Sequence, residues 1–413
     1  MPWIDTLRYA PWLTRERVLR WSLGFALLSV ILATAHVVGR TTAGLTNQIG
    51  EHLGGDFINY WLGAQFADSG RAALAYNIDI FDAFQKSLVG PLGEFKMYVY
   101  PPVAMLLSWP LAKLPFLPAL MVWTAIGMAF CLWSLSRLLG WSMAALATIG
   151  APAAFLNLMT GQNGYFTAGL LGTGLMVLDR RPVLAGMLFG LLSFKPHLGV
   201  LLPVALVAGG HWRAIVAAAA TGALLFAVSA AVLGADAWAA FVHQMIVQRG
   251  VMEIGVWGWH RMPTVFVAMR TAGVAVNVSY AVQIVSGVLA AAVVARVWRA
   301  PCASEIKAAS VVVATFLVTP YVQDYDMVVL IFAAGWLLKQ APAGRFLPWE
   351  RIALAILLVL PVAALPLAKW AGMQIGPIVL WAMLILLTRR ALALHPRFEG
   401  LAPPSNTAAS APA

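Results

Sequence analysis

The chain has 413 residues, 61% of them apolar and only 10% charged, with a formal net charge of +11; an ordinary soluble domain is about 45–50% apolar and about 25% charged. That composition excludes a soluble globular protein, and the long unbroken apolar runs exclude a transmembrane barrel, whose strands alternate. The basic residues are scattered singly between apolar segments and form no basic stripe, so they read as a topology signal; the bilayer is an expected partner and nucleic acid is not.

Residues 1–19 read as a cytoplasmic segment and 20–398 as one membrane domain. Its apolar runs predict twelve spans, near 20–38, 117–137, 141–159, 162–178, 182–194, 197–209, 213–233, 276–298, 306–320, 324–338, 351–369 and 374–388. The first also has the make-up of a signal peptide, with Ala33-Thr34-Ala35 as a cleavage site, and is read here as uncleaved. The stretch Tyr98 to Pro115 is apolar but interrupted by four prolines. If it does not cross, 17 of the 27 basic residues and 6 of the 16 acidic ones fall in the cytoplasm. If it does, every later segment inverts and the positive-inside rule fails. Both termini are therefore expected to be cytoplasmic, in the inner (cytoplasmic) membrane. Cys131 and Cys302 support neither a disulfide framework nor a zinc site.

The exported loop 39–116 holds six of the sixteen acidic residues and is predicted to carry juxtamembrane helices. Asp56 follows Gly54-Gly55 and opens a helical pattern through Phe57, Tyr60, Trp61, Ala64 and Phe66. It suits a helix N-cap, and the same position would aim a carboxylate out of the helix end as a general base. The runs 182–194 and 197–209 have 13 residues each, about 20 Å of helix against a ~30 Å hydrocarbon core. Their shared turn at Lys195, Pro196 and His197 is therefore expected to be sunken. A lysine there either snorkels to water or meets an anion.

The outer loop 234–275 carries Trp257, Trp259, His260 and Arg261. Tryptophans there suit an interfacial belt; beside cations they also suit a sugar phosphate. Gln162 and Asn163 are placed to cap the following span or to bind hydroxyls. Tyr321, Gln323, Asp324 and Asp326 form a polar cluster whose two carboxylates cap the next helix or, less simply, hold a metal. Residues 399–413, rich in Ala, Pro and Ser, read as a disordered cytoplasmic tail.

Gly55-Asp56-Phe57 with Tyr60-Trp61, Tyr100-Pro101-Pro102, Gly161-Gln162-Asn163, the stretch from Gly186 to Lys195-Pro196, and Thr319-Pro320-Tyr321 followed by Tyr325-Asp326 together resemble the membrane glycosyltransferase family 87. The resemblance runs from about residue 50 to about residue 335. It implies an all-α polytopic protein with the GT-C fold, in a family that includes polyprenol-phosphate-mannose-dependent mannosyltransferases. It also implies an essential aspartate in the first exported loop, which falls on Asp56. Mannosyltransferases of that family carry a histidine after the Thr-Pro-Tyr equivalent, where this chain has Gln323, Asp324 and Asp326. Sugar and acceptor are left open by that departure.

The expected reaction moves one sugar, mannose by default, from a polyprenyl-phosphate donor to a hydroxyl of an envelope glycolipid or glycan. Asp56 is the expected base. Lys195, Arg261, His260 and His197 are the expected phosphate ligands; Tyr60, Trp61, Gln162, Asn163, Trp257, Trp259, Tyr321, Gln323, Asp324 and Asp326 are the expected sugar or acceptor contacts. No cofactor and no metal are expected. A lipid-linked substrate flippase or secondary transporter, a membrane scaffold, and a ligase moving a whole lipid-linked glycan are the rival readings.

Overall fold

The computed structural model describes residues 2–41, 45–46, 51–90, 94–341 and 345–393. The tail 399–413 lies outside them. Among the described residues the chain is helical throughout, with one isolated antiparallel bridge between Thr46 and His52.

Each of the twelve apolar runs is helical, but they divide by length. Six helices are long and apolar enough to cross a membrane: Arg15–Arg40, Phe116–Leu139, Trp212–Leu233, Val276–Arg299, Glu350–Trp370 and Gly376–Ala393. A seventh candidate is the pair Trp141–Gly150 and Pro152–Thr160, bent by 59°. Pro152 has no N–H to give and holds Ala151 in an extended conformation, which ends the first helix there.

The remaining runs form shorter helices: Gly164–Val177, Pro182–Leu191, Leu202–Ala208, Ser304–Val318 and Leu330–Lys339. Gly164–Val177, Ser304–Val318 and Leu330–Lys339 are buried along most of their length, so they are packed against protein and not against lipid. Composition alone does not separate a helix enclosed by protein from one that faces lipid, because both lie in apolar surroundings. Close approach in this core depends on small residues; a Cβ on Gly172 would stand 2.3 Å from the Phe332 ring.

The stretch Tyr98 to Pro115 contains the seven-residue helix Pro102–Ser108 and the 3-10 turn Trp109–Lys113, too short to cross by themselves. They join helices Phe57–Asp68 and Ile78–Val89 in a layer at one end of the bundle. Phe57–Asp68 is buried on nearly every face. Its Tyr60 ring stacks on Trp123, centroids 4.7 Å apart, and Trp123 meets Phe166 at 4.5 Å. This aromatic stack ties the loop layer to helices Phe116–Leu139 and Gly164–Val177.

The other end of the bundle collects basic helix ends. Ser304 Oγ donates to Asp179 at 2.6 Å, Lys339 pairs with Glu305 at 2.7 Å, and Arg390 bonds the Gln340 carbonyl at 2.7 Å. Helices Gly164–Val177 and Leu330–Lys339 therefore run from the loop layer to this basic end.

Candidate active site

Asp56 sits at the mouth of the loop layer, immediately before helix Phe57–Asp68. Its backbone N–H donates to the Thr160 carbonyl at 2.9 Å, which docks the Gly54-Gly55 turn onto the chain reversal before helix Gly164–Val177. The contact needs glycine on both sides. Gly161 has φ +59°, and a Cβ there would lie 2.5 Å from the Gly54 carbonyl oxygen.

Although Asp56 holds the N-cap position, its side chain makes no capping hydrogen bond. It accepts instead from Gln162 Nε2 at 2.8 Å. Gln162 is buried and receives the Tyr60 hydroxyl at 3.1 Å, with the Tyr100 hydroxyl 2.9 Å from its Nε2. Asn163 Nδ2 donates to the Tyr60 oxygen at 2.6 Å, and Lys195 Nζ donates to Asn163 Oδ1 at 3.0 Å. Lys195 is in turn paired with Asp326. One unbroken polar chain thus leads from Asp56 into the bundle and ends on a buried ion pair. Gln162 and Asn163 hold this chain together and do not cap their helix with their side chains.

A second ion pair flanks the first. Arg261 makes a two-pronged contact with Asp324, at 2.9 and 2.7 Å, the fixed fork geometry that guanidinium and carboxylate favour. Both cations also face the Tyr325 ring, Lys195 at 4.9 Å and Arg261 at 5.6 Å from its centroid. Asp326 completes a capping box with Gln323, accepting its backbone N–H at 3.1 Å. Capping and ion pairing are therefore served by the same carboxylate. Lys195 does not snorkel; its side chain is 3% exposed.

Burial pushes the Asp56 carboxyl up, but Lys96, Arg261, the Gln162 hydrogen bond and His52 together outweigh it and hold the group below the usual carboxylate range. Asp56 is thus ionised at neutral pH. Burial drives the Tyr60 and Tyr100 hydroxyls well above their usual range, so both stay neutral hydrogen-bonding groups. Burial, with Arg261 beside it, lowers His260, which favours the neutral ring.

The other predicted residues divide. Tyr321 stands edge-on to His197 at 5.4 Å and to Trp257 at 5.3 Å, beside the buried pairs. Trp61 points away, donating to the Leu114 carbonyl at 2.9 Å and packing against Phe116. Trp259 donates to the Met252 carbonyl at 2.8 Å and stacks under Arg270, which makes it part of the small core of the segment 234–275.

Lys96 escaped the sequence reading. Its Nζ lies 3.6 Å from Asp56 and 2.8 Å from Glu94. The available signal was weak, a cation two residues after Glu94 and just before Tyr98 to Pro102, the segment that delivers Tyr100 to Gln162. Among the described residues, no group of three or more His, Cys, Asp or Glu side chains is arranged to hold a metal ion.

An all-helical bundle with membrane-length helices and a carboxylate at the mouth of an ion-paired polar core defines the class as a membrane protein with an enzyme-like site. The model of glycosyltransferase family 87 matches residues 98–320, more than half of the chain, and the chain belongs to that family. The matched interval contains Gln162, Asn163, Lys195 and Arg261; Asp56 precedes it and Asp324 and Asp326 follow it. No curated protein and no solved structure matches the chain.

Proposed function

We propose that this glycosyltransferase moves a single sugar from a polyprenyl-phosphate carrier to a hydroxyl of a cell-envelope glycolipid or glycan, on the outer face of the inner membrane, with mannose the first sugar to test. The observation that carries the reading is Asp56. It is an ionised carboxylate, its side chain 20% exposed, fixed by Gln162 at the more exposed end of the polar chain and under the influence of Lys96 and Arg261.

The acceptor oxygen attacks the anomeric carbon as the bond from that carbon to the phosphate oxygen breaks. The bonding pair leaves with the phosphate and the acceptor proton passes to Asp56. One displacement inverts the anomeric centre. A positioned carboxylate base contributes a factor of about 10²–10⁴. Phosphate leaves as a stabilised anion, so fixed positive charge serves it better than a general acid, and side-chain cations meet that need without a metal.

The outer-face assignment is supported by charge. Helices that begin beside Asp56 and Asp326 end at Asp179, Lys339 and their neighbours, where the basic helix ends gather. A nucleotide-sugar pool is confined to the cytoplasm, so a sugar transferred at the opposite end must arrive on lipid. Twelve crossings with both termini in the cytoplasm would satisfy the same charge distribution.

The test is transfer by the purified protein in detergent from synthetic polyprenyl-phosphate-linked mannose to an envelope lipid extract, with Asp56→Asn as control. Product from the wild type alone is expected. Equal product from both proteins would remove Asp56 from the chemistry. Carrier movement across a vesicle membrane without transfer would replace the transferase reading with a flippase.

A further inference from the structure

Lys96 lies 3.6 Å from the Asp56 carboxylate, Arg261 also acts on its charge, and Lys195 is joined to it only through Asn163, Tyr60 and Gln162; the three cations are not equally available. Arg261 is bound through two hydrogen bonds to Asp324, whose side chain is almost fully enclosed. Lys195 is held between Asp326 and Asn163, again enclosed. Drawing either cation toward a ligand would leave a carboxylate buried without a counter-ion, which is strongly unfavourable.

Lys96 is different. Its closer partner, Glu94, is 56% exposed, and an ion pair open to water holds its members weakly. Its other partner, Asp56, is 3.6 Å away, outside hydrogen-bond distance. The lysine stem is flexible, its ammonium is a compact point charge, and the side chain is 24% exposed at the mouth of the site. Of the three, it is the cation that an arriving anion can recruit with least disruption.

We propose that Lys96 binds the phosphate of the lipid-linked donor and that, in turning to it, Lys96 leaves Asp56, so that donor binding itself frees the carboxylate for the acceptor. The inference rests on the polyprenyl-phosphate reading above and replaces Lys195 and Arg261 as the first phosphate contact. In the donor the phosphate is a diester with one negative charge; as the sugar–oxygen bond breaks it becomes a monoester with a second. A mobile ammonium beside it meets that growing charge. Without donor, Lys96 is the leading positive influence on Asp56, in accord with a carboxyl held below its usual range.

The experiment is a binding titration of the full-length purified protein in detergent with polyprenyl monophosphate, alongside the transfer assay. Lys96→Gln is expected to weaken binding about tenfold, the size of one charge-assisted contact, and Lys96→Arg to stay within about threefold of wild type. Glu94→Gln and Asp56→Asn each remove a competitor for the ammonium and are expected to tighten binding a few-fold. In the Lys96→Gln background the gain from Asp56→Asn should shrink to the part that direct carboxylate–phosphate repulsion contributes, since the lysine pair is then uncoupled. Equal binding by Lys96→Gln and wild type, or an undiminished gain from Asp56→Asn in the double variant, would overturn the assignment. If Lys96→Gln does not fold, tightening by Glu94→Gln and Asp56→Asn supports the assignment and its absence in both overturns it. A wild type that ignores polyprenyl monophosphate overturns the donor reading and this inference with it; a wild type that binds while Lys96→Gln binds equally overturns this inference alone.

Discussion

Gln162 hydrogen-bonds Asp56 at 2.8 Å across 106 residues of sequence. The same amide touches Tyr60 and Tyr100, so a single buried side chain joins the loop layer to the start of helix Gly164–Val177. The position of the proposed base, the loop docking and the polar chain into the core meet at this one residue.

Asp56→Asn keeps the shape and the Gln162 contact while removing the charge. Transfer is expected to fall by about 10²–10⁴ with the fold retained, measured as single-turnover product against a melting curve. An unchanged rate would end the base assignment.

The same carboxyl has a pH consequence. Its folded pKa is depressed below the ordinary 3.8, so its contribution to stability is complete above about that value and is lost as the pH falls through the lower, folded value. Melting curves of wild type should drop more steeply than those of Asp56→Asn below pH 3.8 and run parallel to them between pH 5 and 8.

Gln162→Leu leaves Asp56 and two buried hydroxyls short of a partner. A destabilisation of about 2–3 kcal/mol is expected. Transfer should fall together with it, because Asp56 loses its side-chain hydrogen bond from Gln162. Stability and activity are read on the same preparation, and loss of one without the other would separate the two roles given to Gln162.

Lys195→Met leaves Asp326 buried and unpaired, an expected cost of about 3–5 kcal/mol. The double variant Lys195→Met with Asp326→Leu removes both charges and should recover a large part of that loss. Thermal melts of the three proteins decide it; a double variant as unstable as the single one would mean that packing, not charge, dominates there.

Gly161→Ala forces a side chain onto a left-handed backbone and into the Gly54 carbonyl 2.5 Å away. More than about 1 kcal/mol of stability should go, and Asp56 should be displaced with the turn. Transfer is expected to drop although position 161 carries no reactive group. Gly140→Ala, where a Cβ meets nothing within 4 Å, provides the comparison for strain without a clash.

Family and helical character were legible in the sequence because both depend on local pattern. Apolar runs of span length announce themselves in composition, and the motifs from Asp56 to Asp326 lie in short, contiguous pieces. Which runs face lipid and which are enclosed by protein was not legible, because Ser304–Val318, surrounded by its neighbours, is as apolar as a lipid-facing helix. The site shows the same division. Asp56, Gln162, Asn163, Lys195, Arg261, Asp324 and Asp326 stood out as polar residues in an apolar chain, while Lys96, in a loop with other charges, did not.

The sequence by itself determined the solvent this protein requires and the helical class, since both follow from residue type and short-range spacing, and its motifs carried the resemblance from which the candidate chemistry was drawn. Only the tertiary structure decided which candidates meet. It commits Lys195 to Asp326 and Arg261 to Asp324, turns Trp61 and Trp259 away into packing, and sets Lys96 beside Asp56. Pairing of charges depends on distance in space, and low-dielectric burial makes each such choice energetically decisive.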